Sequence, residues 1–254
     1  MNPTFLLVHG FGCDRDNWRL QVEALSAAFD VATLDLPGHG TSPIPEVHDL
    51  ATLARAVDEA KNRCRHPVVL VGHSMGCRIA MEVFRMAPEG IAGLAFLDCS
   101  STRREHSQRL LALLRERLRL NGMSASLQAN FEEMFVSSSP VGLRDAAVAT
   151  ALRLDHAFAE SVLADLAGWD AAEALQPVAD SRLPVLSIQS TALGPDMKRR
   201  SLEPGNTSAW GELVRRMIPD VRARDVPGVG HFVHLEAAGL VNEELAEFGW
   251  RCAG

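Results

Sequence analysis

The sequence predicts an α/β protein: a mostly parallel, doubly wound sheet that carries an all-helical insertion. Three observations predict it. Short apolar runs alternate with amphipathic stretches over the first hundred residues, the alternation stops between 103 and 180, and it resumes from Pro184. Alternating strands and helices favour a parallel sheet with helices on both faces. A chain of 254 residues suits one large domain with an insertion. The expected division is a core of 1–102 and 181–254 and a helical cap, or lid, of 103–180.

The elements follow in order. Phe5 to Val8 reads as a buried strand and runs into His9-Gly10-Phe11-Gly12. A helix is expected from Trp18 to Ala28, with Trp18, Val22 and Leu25 on one face. Val31 to Leu34 is a second strand, followed by the turn-rich loop Asp35-Leu-Pro-Gly-His-Gly-Thr-Ser42. Leu50 to Asn62 is a helix, Val68 to Val71 a third strand, and Ile91 to Leu97 a fourth that ends at Asp98. In the insertion, helical stretches run over 105–120, 124–136, 142–154 and 156–168, separated by Asn121-Gly122, Ser137-Ser-Ser-Pro140 and Gly168. A strand over Pro184 to Ile188, a helix from Trp210 to Met217 and a strand over Val221 to Asp225 precede the loop Pro227-Gly-Val-Gly-His231 and a final helix.

Composition narrows the function classes. Hydrophobic residues make up 47%, enough for a sizeable core, and the net charge is −7. An acidic balance argues against general binding to nucleic acid or an anionic membrane. The five cysteines form no C-x-x-C pair, which points to free thiols in a reducing compartment. The start has no basic region, and Phe5 to Val8 is too short for a signal or spanning segment. A cytoplasmic protein, monomeric or homodimeric, is the expectation.

The most informative stretch runs from Pro67 to Ala80. An apolar strand, the turn Gly72-His73-Ser74-Met75-Gly76 and a helix with Ile79, Ala80, Val83, Phe84 and Ala87 on one face follow one another. Glycines flank Ser74 because a tight turn brings the strand and helix backbones together, where a side chain would collide. Such a turn lifts the serine into the open at the carboxyl end of the sheet.

Four motifs in order resemble those of the α/β-hydrolase superfamily: His9 to Gly12 its oxyanion loop, Asp35 to Ser42 its D-x-x-G-x-G-x-S loop, Gly72 to Gly76 its nucleophile elbow, and Gly228 to Glu236 its C-terminal histidine loop. The resemblance covers nearly the whole chain and implies a sheet of the α/β-hydrolase type. The helical insertion falls where that superfamily places a cap. The hairpin that usually precedes the oxyanion loop is expected to be absent, which would make the Val31 strand a sheet edge.

The expected chemistry follows. Serine is a weak nucleophile near neutral pH and needs a base within hydrogen-bond reach. His231, in the glycine-rich loop after the last strand, is the candidate. An acid must fix its tautomer. Asp98, at the carboxyl end of the strand after the nucleophile, is the first candidate, because some superfamily members use that position. Asp196, in the loop after the next strand, is the runner-up. Asp98 can alternatively cap its own segment, and Asp196 can pair with Lys198, Arg199 or Arg200. By resemblance the oxyanion donors are the backbone N–H groups of Phe11 and Met75. Gly10, Phe11, His73, Phe131, Phe135, Trp169 and Phe232 are the expected substrate contacts.

Serine at position 74 excludes the alkyl-ester chemistry of carboxylate-nucleophile relatives. His231 and His234 lie three apart beside Glu236, but a third ligand is lacking, so neither a metal nor a cofactor is expected. The leucine-rich insertion implies an apolar acyl or ring group in the substrate. Arg103, Arg104, Arg109, Arg115, Arg117 and Arg119 form either a solvated face or an anchor for a carboxylate or phosphate. The resemblance implies a hydrolase of a small carboxylic ester or lactone. The alternatives are a thioesterase, a carbon–carbon bond hydrolase, or a ligand-binding receptor with a slow triad.

Overall fold

The computed structural model describes residues 2–65, 67–102, 104–194 and 198–253. Six parallel strands form the sheet: β1 (Thr4–Val8), β2 (Asp30–Thr33), β3 (Val68–His73), β4 (Ile91–Leu97), β5 (Val185–Gln189) and β8 (Arg222–Asp225), in the order β2-β1-β3-β4-β5-β8. The strand at Val31 stands at the edge, as the sequence predicts. β1 and β3 are buried on both faces, which explains their unbroken apolar runs.

Alternate side chains on these strands feed two cores. Leu6, Val8 and Leu70 point to the layer of α2 (Leu50–Asn62), α3 (Met75–Met86), α7 (Ala171–Ser181) and α8 (Ala209–Met217). Phe5, Leu7, Val69 and Val71 point the other way, to α1 (Arg19–Leu25) and α10 (Ala238–Cys252).

Some details depart from expectation. The first helix opens as a 3-10 turn over Arg15–Trp18, because the Asp14 carboxylate and the Asn17 amide exchange backbone bonds in a capping box. The two first insertion helices join as α4 (Ser107–Glu132) across a kink at Gly122, where φ is 75°. The others are α5 (Val141–Ala151) and α6 (His156–Gly168). α7, the last stretch of the expected 103–180 insertion, packs against α3 and α8 beside the sheet. A two-stranded antiparallel ribbon of β6 (Thr191–Leu193) and β7 (Arg199–Ser201) occupies a region that reads as a loop in sequence.

The glycines of the Ser74 turn are required by close backbone approach. A Cβ at Gly72 would strike the backbone of Gly76 and Cys77, and one at Gly76 would strike the carbonyl of Val8. Neither obstacle is a side chain that can swing away. Gly142, near the start of α5, faces open space. Gly76→Ala should therefore lose about 3 kcal/mol or more of stability, whereas Gly142→Ala should be neutral or gain about 0.5–1 kcal/mol. Urea unfolding of both variants checks the contrast.

Candidate active site

The sheet delivers its chemistry at one end. Ser74 follows β3 directly, with φ 54° and ψ −113°, a conformation that costs a non-glycine residue energy and is held by its surroundings. Its backbone N–H donates to the Leu97 carbonyl at 3.0 Å. Asp98 ends β4, also at positive φ, 47°. Its N–H donates to Ile188 at 2.8 Å, tying it to the end of β5.

The Asp98 carboxylate is fully buried and surrounded by donors. Oδ1 accepts from the N–H groups of Ser190 and Thr191, both at 2.8 Å. Oδ2 accepts from the Thr191 hydroxyl at 2.5 Å and lies 2.5 Å from His231 Nδ1 and 3.5 Å from Arg199 Nη1. Because the carboxylate accepts, Nδ1 carries the proton, leaving Nε2 of neutral His231 with its lone pair. Asp98 thus anchors elements distant in sequence and is not merely a local cap. Asp196, the runner-up acid, lies outside the described residues.

The His231 backbone is fixed on both sides. Its N–H donates to the Met134 carbonyl, just after α4, at 2.7 Å, and its carbonyl accepts from His73 Nε2 at 3.0 Å. Ser190 Oγ holds the preceding Gly230 carbonyl at 2.7 Å. Among the described residues, Nε2 of His231 and the Ser74 hydroxyl form no hydrogen bonds.

Met75 opens α3, so its N–H has no partner within the helix and sits at the positive end of the helix dipole. The Phe11 N–H also carries no hydrogen bond to a described residue. The loop of Phe11 is fixed by His9: its Nε2 accepts from the Leu36 N–H at 3.0 Å, while Nδ1–H donates to Gly10 at 2.8 Å.

A cavity of about 190 Å³ opens over Ser74, lined also by Phe11, Met75, Arg78, Asn130 and Arg199. Leucines of α4 and α6 complete it. Of the seven expected substrate contacts, only Phe11 lines this cavity. Phe131 is buried against Gly12, fixing the Phe11 loop from above. Phe135 stacks on Phe232 at 4.8 Å and ties the segment after α4 to the histidine loop. His73 is buried in holding His231, and Gly10 packs against His73 and Ser74. The Trp169 indole is turned away, with Nε1–H donating to Glu82 at 3.1 Å.

None of the described insertion arginines lines the Ser74 cavity itself, although Arg109 lines a neighbouring space that shares Ser100, Thr102, Leu110 and Leu193 with it, and Arg117 one that shares Leu110, Leu114, Asn130 and Leu163. Arg104 pairs with Glu173 and Arg119 with Glu116, each at 2.8 Å, and Arg103 lies outside the described residues. The cavity takes its cations from Arg78 and Arg199. Arg78 follows Ser74 by four positions, in the first turn of α3. That spacing was the sequence signal for it. Arg199 had none, because the β6–β7 ribbon brings it in.

Burial governs the titration. Burial pushes the Asp98 carboxyl up, but the His231 hydrogen bond, then the Arg199 charge and the Thr191 hydroxyl, outweigh this and hold it below the ordinary carboxylate value. Burial and the Arg199 charge push His231 down to about 4, against the opposing pull of Asp98. His9 falls to about 4, His39 and His234 to about 3, and His73 well below 6.5, in each case chiefly through burial. Among the described residues, no group of three His, Cys, Asp or Glu side chains is placed to hold a metal.

A family model described as the alpha/beta hydrolase family matches residues 5–244. The pimeloyl-[acyl-carrier protein] methyl ester esterase of Methylococcus capsulatus is 42% identical over 101 residues, covering 40% of this chain and 38% of that protein. The chain therefore matches well under half the length of this curated relative. A thermophilic esterase from Thermogutta terrifontis superposes with a TM-score of 0.80 at 21% identity, covering 100% of this chain and 92% of that one. The enol-lactonase of Burkholderia xenovorans gives 0.78 at 20% identity, with 98% and 91% covered. No helix among the described residues is long and apolar enough to cross a membrane.

The five depressed histidines set an acid limit on stability. Each is neutral in the fold at pH values where its unfolded counterpart, near 6.5, is protonated. The unfolded chain therefore binds more protons below about pH 6.5, and stability falls as pH falls from there towards 4. Each imidazole contributes up to about 1.4 kcal/mol per pH unit in that window. Urea unfolding from pH 7 to 4.5 should show this slope. A midpoint that stays flat over that range would contradict it.

Proposed function

Because the chain belongs to the alpha/beta hydrolase family, we propose that it is a serine hydrolase. It cleaves a carboxylic ester or lactone of a small, partly apolar substrate through an acyl-Ser74 intermediate. The observation that carries this reading is the buried 2.5 Å contact between Asp98 and His231 Nδ1, with Ser74, held at positive φ and bonded through its backbone to Leu97 next to Asp98, lining a cavity.

The steps follow from these groups. The substrate carbonyl enters the cavity and Ser74 Oγ attacks it. His231 Nε2 takes the hydroxyl proton, and Asp98 stabilises the resulting imidazolium. The tetrahedral oxyanion accepts from the N–H groups of Phe11 and Met75, each such donor being worth a factor of about 10² to 10³ in turnover. His231 returns the proton to the departing alkoxide. Water, activated by the same imidazole, then frees the acid and restores Ser74.

Turnover of p-nitrophenyl acetate and butyrate tests the reading. Ser74→Ala and His231→Ala should lose at least about 10³-fold in kcat, and Asp98→Asn about 10³- to 10⁴-fold. Wild-type turnover in folded Ser74→Ala sinks the proposal.

The pH profile gives a second check. The neutral imidazole is the base, so activity is lost as pH falls through the His231 pKa. The acidic limb of kcat/KM should lie near pH 4, well below the ordinary histidine value. Arg199→Met removes one of the two causes of that depression and should move the limb towards higher pH.

A further inference from the structure

Arg78 has no use in the chemistry above, yet it lines the same cavity as Ser74. It lies in the first turn of α3, four positions after Ser74. The residue is buried, with 8% of its surface exposed. A buried cation is costly unless an anion and hydrogen bonds compensate it.

Among the described residues, no carboxylate pairs with Arg78. Its one hydrogen bond runs from Nη1 to the Leu166 carbonyl at 2.7 Å, near the end of α6. A guanidinium has five N–H donors, so most of its capacity is unused. Its carbon lies 4.9 Å over the Trp169 ring, which orients the plane without neutralising it. The nearest candidate anion on α3, Glu82, is committed elsewhere. It accepts from Trp169 through Oε1 and from Arg85 Nε and Nη2 through Oε2, at 2.9 and 2.7 Å.

The cavity as a whole has the same bias. Arg199 adds a second guanidinium, and the two are close enough for Arg199 to depress Arg78. No acidic side chain lines the space. Burial lowers Arg78 only to about 10, so it stays charged near neutral pH. A mostly apolar space of about 310 Å³ between α4 and α6, with Arg117 also in its lining, shares Leu110, Leu114, Asn130 and Leu163 with the Ser74 cavity.

We propose that Arg78 is a carboxylate-binding residue of the substrate site, and that the preferred substrates are half-esters of dicarboxylic acids. The inference rests on Ser74 being the nucleophile. The free carboxylate takes the unused donors of Arg78, the ester carbonyl reaches Ser74, and the carbon chain lies against the leucines. Capping α6 through Leu166 would by itself need only one donor and no open cavity.

The test compares monomethyl succinate, glutarate and adipate with their dimethyl esters, which have the same chains with the charge masked. Wild type should prefer at least one half-ester by about tenfold or more in kcat/KM. In Arg78→Met that ratio should fall to about one, while Arg78→Lys should retain part of it. Calorimetric titration of the Ser74→Ala protein with monomethyl glutarate reads binding without turnover, and the added Arg78→Met change should abolish it. Equal turnover of half-esters and diesters, or a preference that survives in folded Arg78→Met, overturns the anchor and leaves the hydrolase reading standing. Binding that depends on Arg78 without hydrolysis of any ester supports the anchor and overturns the hydrolase reading. If Arg78→Met does not fold, the wild-type ratios and Arg78→Lys decide.

Discussion

The carboxylate of Asp98 is the constraint on which the site depends. A charge removed from water costs several kcal/mol unless donors replace the lost solvent. Here they come from Ser190, Thr191, His231 and Arg199, contributed by the end of β5, the β6–β7 ribbon and the loop after β8. One buried charge therefore fixes where three loops meet. Thr191 and Arg199 also bond each other at 3.1 Å, and Arg199 reaches Ser100 at 2.7 Å, so the shell around Asp98 is itself held. Shells of this kind set ring orientation as strictly as the primary contact does.

The segment between α4 and α5 completes that constraint. The Met134 carbonyl holds the His231 N–H, and the ring of Phe135 lies against Phe232. Glu236 accepts from the Gly230 N–H and from Ser139, so the same segment between α4 and α5 is tied to this turn a second time. The segment between α4 and α5 thus holds the loop that carries the buried His231, while α4 and α6 line the cavity. Burial and the charge of Arg199 both favour a neutral His231, the form with a lone pair to receive a proton.

Much of this was legible in the sequence for local reasons. The elbow around Ser74 is written in two glycines whose Cβ atoms would meet backbone, and the strands in runs of apolar residues buried on both faces. β2 stands at the sheet edge, as expected of the Val31 strand where no hairpin is expected before the His9 loop. The pocket is less legible, because aromatic residues that a sequence offers as contacts serve packing instead: Phe131 sits on Gly12 and Phe135 on Phe232. A helical pattern shows that a residue is buried, not whether it faces a core or a cavity. The β6–β7 ribbon escaped notice because its strands are only three residues each, too short for an alternation to register. Arg199 went with it. Arg78 sat on a readable helix face, but only the pairing of Glu82 with Arg85 and Trp169 reveals that its charge lacks a partner.

The central claim is that Ser74 is activated by His231, and intact-protein mass after a fluorophosphonate probe tests it most directly. One adduct per wild-type chain, absent from folded Ser74→Ala and from folded His231→Ala, is the predicted result. No adduct on folded wild type, or an adduct that persists in Ser74→Ala, would contradict it.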